Sequence, residues 1–358
     1  MLDKKFWKTR RVFVTGHTGF KGSWLCMWLH ELGADVKGYS LKPPTSPSLF
    51  NEARVSELVE SEIGDIRDLE KLTKSIHDFQ PEILIHMAAQ SLVRHSYDVP
   101  IETYEVNVLG TANVLDAAKN SGSVKSVVSV TTDKCYENNE WVWAYRENEP
   151  MGGHDPYSSS KGCAELVIAS YRKSFFESKR IGLASARAGN VIGGGDWALD
   201  RLVPDVLRAF EKKQPVVIRS PNAIRPWQHV LEPLSGYLKL AQALFEKPAN
   251  FAEGWNFGPN ENDAKPVNWI LDEMINSWQG ASWVLDQSEA NPHEASYLRL
   301  DISKAKSKLF WKPVWSLSET LLHIVSWHRA WLSGADMQKI SINEISKYTN
   351  SMDDIKDG

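Results

Sequence analysis

Tyr157 and Lys161 stand four residues apart in Asp155-Pro156-Tyr157-Ser158-Ser159-Ser160-Lys161. Asp155 suits an N-cap and Pro156 a first helical position, so the spacing predicts a helix with phenol and ammonium on one face. Free tyrosine ionises near about pH 10, and an adjacent cation stabilises phenolate. The pair can therefore take a proton from a hydroxyl while hydride leaves the same carbon. Tyr-x-x-x-Lys is common by chance, and its weight here comes from what precedes it. A strand-like run ends in Thr131-Thr132-Asp133-Lys134-Cys135-Tyr136, which adds hydroxyls, an acid and an amine just upstream.

Hydride transfer needs an acceptor, and the N-terminal segment supplies a place for one. A β-rich run, RRVFVTG, ends in Gly16-His17-Thr18-Gly19-Phe20-Lys21-Gly22 and passes into a helical pattern that stops at Gly33. Glycines there allow a tight turn and let backbone approach a pyrophosphate, and the helix N-terminus favours the anion. A glycine motif alone is weak; the strand before it and the helix after it make it a dinucleotide site. An acid that would take a ribose 2′-hydroxyl is missing, because the second strand ends Gly38-Tyr39-Ser40-Leu41-Lys42. Ser40 can bind a hydroxyl, and Lys42 can meet a 2′-phosphate.

From residue 10 to about 130, short β-rich runs alternate with amphipathic helical stretches near 20–32, 68–78 and 103–120. That rhythm predicts βαβ units and an α/β fold: a doubly wound parallel sheet of Rossmann type, with a smaller mixed α/β C-terminal substrate-binding domain. The expected division is 1–185 for the dinucleotide domain, its sheet completed near 181–192 and 225–235, then mostly 186–340 for the substrate domain. A tail at 341–358 is expected to fray from about 343. Segment 41–50, with three prolines, reads as a loop near the strand ends.

Composition narrows the function classes. A formal charge of -4 over 358 residues gives no electrostatic case for nucleic acid or a membrane surface. Cys26, Cys135 and Cys163 lack paired spacing, and the ten histidines lack metal-ligand spacing, so neither disulfides nor a metal is expected. No apolar stretch approaches the roughly 20 residues of a spanning helix, and the first apolar run is too short for a signal peptide. The expected location is the cytoplasm. The many late tryptophans, Trp255 to Trp331, read as core.

With the G-x-x-G-x-x-G spacing, the sequence resembles the extended short-chain dehydrogenase/reductase family, and further segments match in order. Gly64-Asp65-Ile66 resembles the adenine contact, Asp65 accepting from the exocyclic amine and Ile66 packing on the ring. His86-Met87-Ala88-Ala89-Gln90 resembles the turn under the nicotinamide ribose and pyrophosphate. Asn107 opens N-V-x-G-T, as a contact or a structural residue. The family implies NAD as cofactor, held by Gly16, His17, Gly19, Phe20, Lys21, Gly22, Ser40, Asp65, Ile66, Ala88, Ala89, Gln90, Asn107, Thr131, Tyr157 and Lys161.

Within the family, nucleotide-sugar 4,6-dehydratases carry T-D-E where this chain has Thr132-Asp133-Lys134. That variant, with Gly19 to Trp24, Ala88 to Arg94 and the long run Arg225 to Tyr237, resembles the dehydratases that act on CDP-D-glucose. The resemblance covers about residues 8 to 335. It implies oxidation at C4, loss of water across C5 and C6, and hydride return to C6. Thr132 would orient the sugar, Tyr157 and Lys161 would serve the oxidation, and Asp133 would protonate the departing C6 hydroxyl. Lys134 would act as the C5 base, if its amine is neutral, or stabilise the enolate. A role in deoxy-sugar synthesis for bacterial surface polysaccharide follows from the same resemblance.

Substrate contacts are expected from several places. Arg225 and Arg299 resemble diphosphate clamps, for which guanidinium forks are suited. Asn190 and Asn256 resemble nucleotide-sugar contacts, and Ser91 and Arg94 follow the fourth strand within reach of sugar or phosphate. Arg201 and Arg219 are weaker candidates, solvent exposure being the default. The family also implies a homodimer, or a dimer of dimers, through the helix after Asn107 and the Tyr157 helix, where Val114, Leu115, Leu166, Val167 and Ile168 offer apolar surface. Two readings compete: a dehydratase or epimerase acting on a dTDP, GDP or UDP sugar, and a catalytically silent dinucleotide-binding sensor. Asp133-Lys134 argues against an epimerase. Thr132, Tyr157 and Lys161 together argue against a silent protein.

Overall fold

The computed structural model describes residues 2–278, 280–286 and 297–354. Its strands in chain order are β1 (Arg11–Thr15), β2 (Asp35–Ser40), β3 (Glu60–Ile63), β4 (Ile83–His86), β5 (Ser126–Val130), β6 (Gly182–Arg187), β7 (Val191–Ile192), β8 (Val216–Ile218), β9 (Ile224–Pro226), β10 (Gln228–His229), β11 (Gly254–Asn256), β12 (Ala264–Pro266) and β13 (Trp283–Leu285). Seven of them form one parallel sheet in the order β11-β6-β5-β4-β1-β2-β3. The order reverses between β1 and β4, the switch point at which such sheets bind ligands. The main helices are α1 (Phe20–Glu31), α2 (Leu69–Phe79), α3 (Pro100–Tyr104), α4 (Gly110–Asn120), α5 (Pro156–Tyr171), α6 (Leu202–Glu211), α7 (Leu231–Glu246), α8 (Val267–Asn276), α9 (Leu317–Leu332) and α10 (Met337–Asp354).

Alternation along the strands sorts side chains to two faces. Val12, Val14, Ile83, Ile85 and Val128 face a core with Trp24 and Trp28 of α1, Leu234 and Leu238 of α7, and Tyr348 of α10. Phe13, Leu84, Val127 and Leu183 face the other core, with Leu72 of α2, Leu115 of α4 and Ile168 of α5. A third cluster joins α6, α8 and α9 beside the paired strands β8 and β13. Trp255, Trp311, Trp315 and Trp327 are buried, and Trp269, Trp278, Trp283 and Trp331 are half-buried, so the late tryptophans are core or its border.

Three expectations are corrected. The sheet is completed by β6 and β11, not by 225–235; there β9 pairs with β12 and β10 with β7, and α7 begins at Leu231. The segment from 343 does not fray before 354. It belongs to α10, where Ile345, Tyr348 and Met352 form a buried stripe at helical spacing and Tyr348 donates to Glu232 Oε2. Finally, the helix expected at 103–120 is interrupted by a π-helical turn at Glu105–Leu109 between α3 and α4. Asn107 lies in that turn, and such turns often sit at functional sites.

Candidate active site

The strand ends bring the site together. Thr15 lies level with His86, His86 with Ser129, and Ser129 with Ser185. The loops after β1, β4, β5 and β6 therefore leave the sheet along one edge.

Gly16 adopts φ +79°, and a Cβ there would stand 2.7 Å from Ala88 N. At Gly22 a Cβ would reach 2.1 Å from the Gly16 carbonyl oxygen. The N-cap of α1 is Gly19 and makes no side-chain hydrogen bond, so the first N–H groups of α1 keep bare backbone for an anion. These residues fit a dinucleotide pyrophosphate. Thr15 completes the cradle: its Oγ1 accepts from Met87 N and Ala88 N at 3.1 and 3.2 Å and pairs with His86 Nδ1 at 2.7 Å. Ala88 and Ala89 are half-buried at this turn, and Phe20 is half-buried against the first core.

The side chain of His17 does something other than expected. It is fully buried, bonds Ser61 Oγ at 2.7 Å, and fills the space a Cβ on Gly38 would need. Burial pushes its pKa down to about 4, so the ring is a neutral packing group. Ser40 shares a 2.7 Å hydrogen bond with Thr18, which in turn donates to Leu41 O. Asp65 is gripped by Arg67 through Nε and Nη2 at 3.0 and 2.7 Å, and those bonds hold its carboxyl below the usual range. Ile66 packs into the second core, where a Cβ on Gly110 would strike its Cδ1 at 2.5 Å. Sequence reasoning missed Thr15, Thr18 and Arg67; a hydroxyl inside the glycine turn and a cation two residues after the acid were the available signals.

Asn107 proves to be a structural clamp. It accepts from Gln90 N and donates to Gln90 O and Ser160 Oγ, each at 2.9 Å. One buried amide thus ties the loop after β4 to the helix carrying Tyr157. Gln90 spends its side chain on Leu92 and Thr103.

The candidate catalytic residues stand on one helix, as the spacing predicts. Asp155 caps α5 by accepting from Ser158 N, Pro156 occupies the first turn, and Tyr157 N donates to Ser96 Oγ. Tyr157 and Lys161 are both buried. Burial pushes the phenol up to about 12, opposed by a hydrogen bond with Thr132, and pushes the Lys161 amine down to about 8. Thr132 Oγ1 also donates to Asp133 Oδ1 at 2.9 Å. The other oxygen, Asp133 Oδ2, is buried with no hydrogen-bond partner, and Gly189 makes room for it: a Cβ there would lie 1.8 Å away. A carboxylate oxygen left bare at such a point costs about 1–3 kcal/mol unless a ligand satisfies it. Lys134 is half-buried in the turn after Thr132, and among the described residues its ammonium has no hydrogen bond or ion pair. Thr131, expected at the cofactor, instead turns its hydroxyl inward to Glu165 Oε1.

Two cations, Lys21 and Arg201, lie beside this group. Lys21 donates to Tyr237 OH at 3.0 Å; burial, then the charges of Lys161 and Arg201, push its pKa down to about 7. Arg201, expected at the surface by default, is held by Asp196 at 2.9 Å and by Ser91 at 3.1 Å, and its charge reaches Tyr157. Arg94 pairs with Asp200 at 3.3 Å. Arg225 is buried on β9, donating to its neighbour's carbonyl, and Arg299 reaches Tyr297 OH at 2.9 Å and Glu261 at 3.6 Å. Arg219 is half-buried just after β8. Asn190 takes a left-handed φ of 44° beside Gly189, a conformation asparagine tolerates. Asn256 does not face a ligand: it is fully buried, accepting from Tyr136 OH at 2.7 Å and donating to Tyr145 O and Asp301 O. It braces the loop after β5.

A nucleotide-binding parallel sheet with Thr, Tyr and Lys at its carboxyl edge defines an extended short-chain dehydrogenase/reductase. In agreement, residues 13–324 match the model of the GDP-mannose 4,6 dehydratase family, and the chain belongs to that family. Over 98% of its length it is 61% identical to the CDP-glucose 4,6-dehydratase of Salmonella typhimurium, 99% of which is covered. The human GDP-mannose 4,6 dehydratase is 24% identical over 90% of the chain and 92% of that relative. The fold is shared with the dTDP-glucose 4,6-dehydratase of Bacillus anthracis, solved in complex with NAD, at a TM-score of 0.75 and 19% identity over 92% of this chain and all of that one.

Proposed function

We propose that the protein is a CDP-D-glucose 4,6-dehydratase, using NAD to convert CDP-D-glucose to CDP-4-keto-6-deoxy-D-glucose and water. The observation that carries this reading is the 61% identity, end to end, to an enzyme of that name. The site geometry supports it: Thr132, Asp133 and Tyr157 form one connected buried set, and an epimerase has no need of Asp133. Bound NAD would accept hydride from sugar C4 and return it to C6.

The chain's own groups account for the protons. Tyr157, stabilised as phenolate by Lys161, takes the O4 proton as hydride leaves C4. The new 4-keto group acidifies C5–H, and Lys134 removes that proton. Asp133 donates to O6, which leaves as water, and hydride then adds at C6 as a proton returns to C5. Thr132 touches both Tyr157 and Asp133, so the proton taken from O4 has a path to the carboxyl that released water. The groups end the cycle as they began it. The anionic diphosphate is matched by Arg201, Arg225 and Arg299.

The C5 base is tested by Lys134→Gln. With Lys134 as base, incorporation of solvent deuterium at C5 falls about 100-fold or more; unchanged incorporation assigns the step elsewhere. The substrate is tested by offering the holoenzyme CDP-, dTDP-, GDP- and UDP-glucose. The reading expects a 4-keto-6-deoxy product from CDP-glucose above all, and no product from any of them favours a silent binder.

The assembly expected is a homodimer, or a dimer of dimers, through α3, α4 and α5. Among the apolar residues named from sequence, Val114, Leu115 and Ile168 are instead fully buried in the protomer's own core. Leu166, at 62% exposure, keeps its place, joined by Ile101 and Leu109 at 71% and 60%. Sedimentation should give the mass of two chains or four, and Leu166→Glu should lower it to one; a monomeric wild type contradicts this assembly. Among the described residues no helix is long and apolar enough to cross a membrane, and the three cysteines are free, which supports a cytoplasmic enzyme.

A further inference from the structure

Glu165 continues the register Tyr157, Lys161, Glu165 along one face of α5. It is buried and its carboxylate is fully engaged. Arg187 of β6 donates to both oxygens at 3.0 and 2.8 Å, Ser185 Oγ donates to Oε2 at 2.7 Å, and Thr131 Oγ1 donates to Oε1. Arg187 is in turn fixed by Tyr136 OH at 2.7 Å and the Glu147 carbonyl at 2.9 Å. Gly254 leaves the guanidinium its room, since a Cβ there would stand 2.6 Å from Nη2. No step of the proposed chemistry uses these groups. Two of them adjoin residues that it does use: Thr131 precedes Thr132, and Glu165 lies one helical turn from Lys161.

We infer that Glu165, braced by Arg187, is a positioning residue that keeps Lys161 cationic beside Tyr157 and pins the Thr132 strand end to the catalytic helix. The inference rests on the dehydratase reading. A buried ion pair replaced by apolar groups is often no less stable, so stability alone explains this one poorly. The local charges agree. Burial lowers the Lys161 pKa, and Glu165 is the first group opposing it. Burial also works against the Glu165 charge, yet Arg187 and the hydrogen bonds hold its carboxyl below the ordinary range.

Other groups facing the pair are accounted for. From α5 and its continuation come Tyr157 and Arg172; from the turn after β5, Asp133, Cys135 and Tyr136. His86 of β4 and Lys21 of α1 face Lys161, Glu147 faces Arg187, and Arg201 and Asp155 face Tyr157. Burial keeps His86, Cys135 and Tyr136 neutral at pH 7, while Lys21, Arg172 and Arg187 are cationic or partly so. Among them Glu165 is the carboxylate whose charge raises the Lys161 pKa against burial.

Without the Glu165 charge, Lys161 loses its proton at lower pH, the cation that stabilises phenolate disappears sooner as pH rises, and the alkaline limb of kcat/KM moves down. The test measures that profile for CDP-D-glucose with NAD-loaded wild type, Glu165→Gln, and the double variant Glu165→Gln/Arg187→Met. The single variant leaves a bare cation near Lys161 and should lower the alkaline limb by about one pH unit or more, a tenfold loss of kcat/KM per unit above it. The double variant, which removes both charges, should lie between it and wild type, with KM within about twofold of wild type in both. Should the single variant not fold, the double variant carries the test alone. Profiles that superimpose after scaling would show a merely structural role and overturn the inference. If wild type turns over no CDP-D-glucose, it is the dehydratase reading that fails.

Discussion

Tyr157→Phe is expected to lower kcat by about 1,000-fold while leaving NAD and CDP-D-glucose bound. The substitution removes one oxygen from a buried ring and leaves the packing of α5 unchanged. It removes the only atom of that side chain able to take the O4 proton, and loss of a positioned acid or base costs about 100- to 10,000-fold. The upper part of that range applies because oxidation at C4 precedes every later step. Rapid-mixing absorbance should show no burst of reduced nicotinamide, and titration of substrate onto the NAD-loaded variant should give a dissociation constant within a few-fold of wild type. A burst of normal size would show that another group takes the proton.

Asp133→Asn is expected to separate the steps that Tyr157→Phe abolishes together. Asn is nearly isosteric, its oxygen can still accept from Thr132 Oγ1, and Gly189 leaves space for the amide. Oxidation at C4 should proceed, and so should exchange of the C5 proton with solvent. What is lost is the proton for O6, so product formation should fall about 100- to 1,000-fold while reduced nicotinamide accumulates on the enzyme. The deprotonated carboxyl could not make that donation either, which is why Thr132, in contact with both Tyr157 and Asp133, matters to the cycle. If product formation and reduced nicotinamide decline together, Asp133 acts in the oxidation and the assignment is wrong.

What could be read from sequence divides along a physical line. The Gly16 turn, the N-cap at Asp155 and the Tyr157–Lys161 register are local, governed by φ, helix period and chain direction, and all three have the expected form. Residues whose role depends on what lies opposite were misjudged. His17 reads as a polar residue in a phosphate-binding turn, but Gly38 on the neighbouring strand opens a pocket that takes the ring. Asn256 sits in a motif that suggests a ligand contact, yet Tyr136, Tyr145 and Asp301 arrive from distant segments to use its amide. Glu165 was within reach, since it extends the register of Tyr157 and Lys161 by one turn. Its meaning required Arg187, placed beside it only by the pairing of β5 with β6. The tail shows the reverse case: Ile345, Tyr348 and Met352 carry a legible helical stripe beneath a polar composition.

In the proposed reaction one hydride leaves C4 and comes back at C6 of the same sugar. The direct measurement uses CDP-D-glucose labelled with deuterium at C4, turned over by the NAD-loaded enzyme, with the product examined by mass spectrometry and deuterium NMR. The prediction is a 4-keto-6-deoxy sugar carrying the label in its C6 methyl group, with unlabelled NAD unable to dilute it. Label found at C4 of an epimerised sugar, or a methyl group without deuterium, would contradict it.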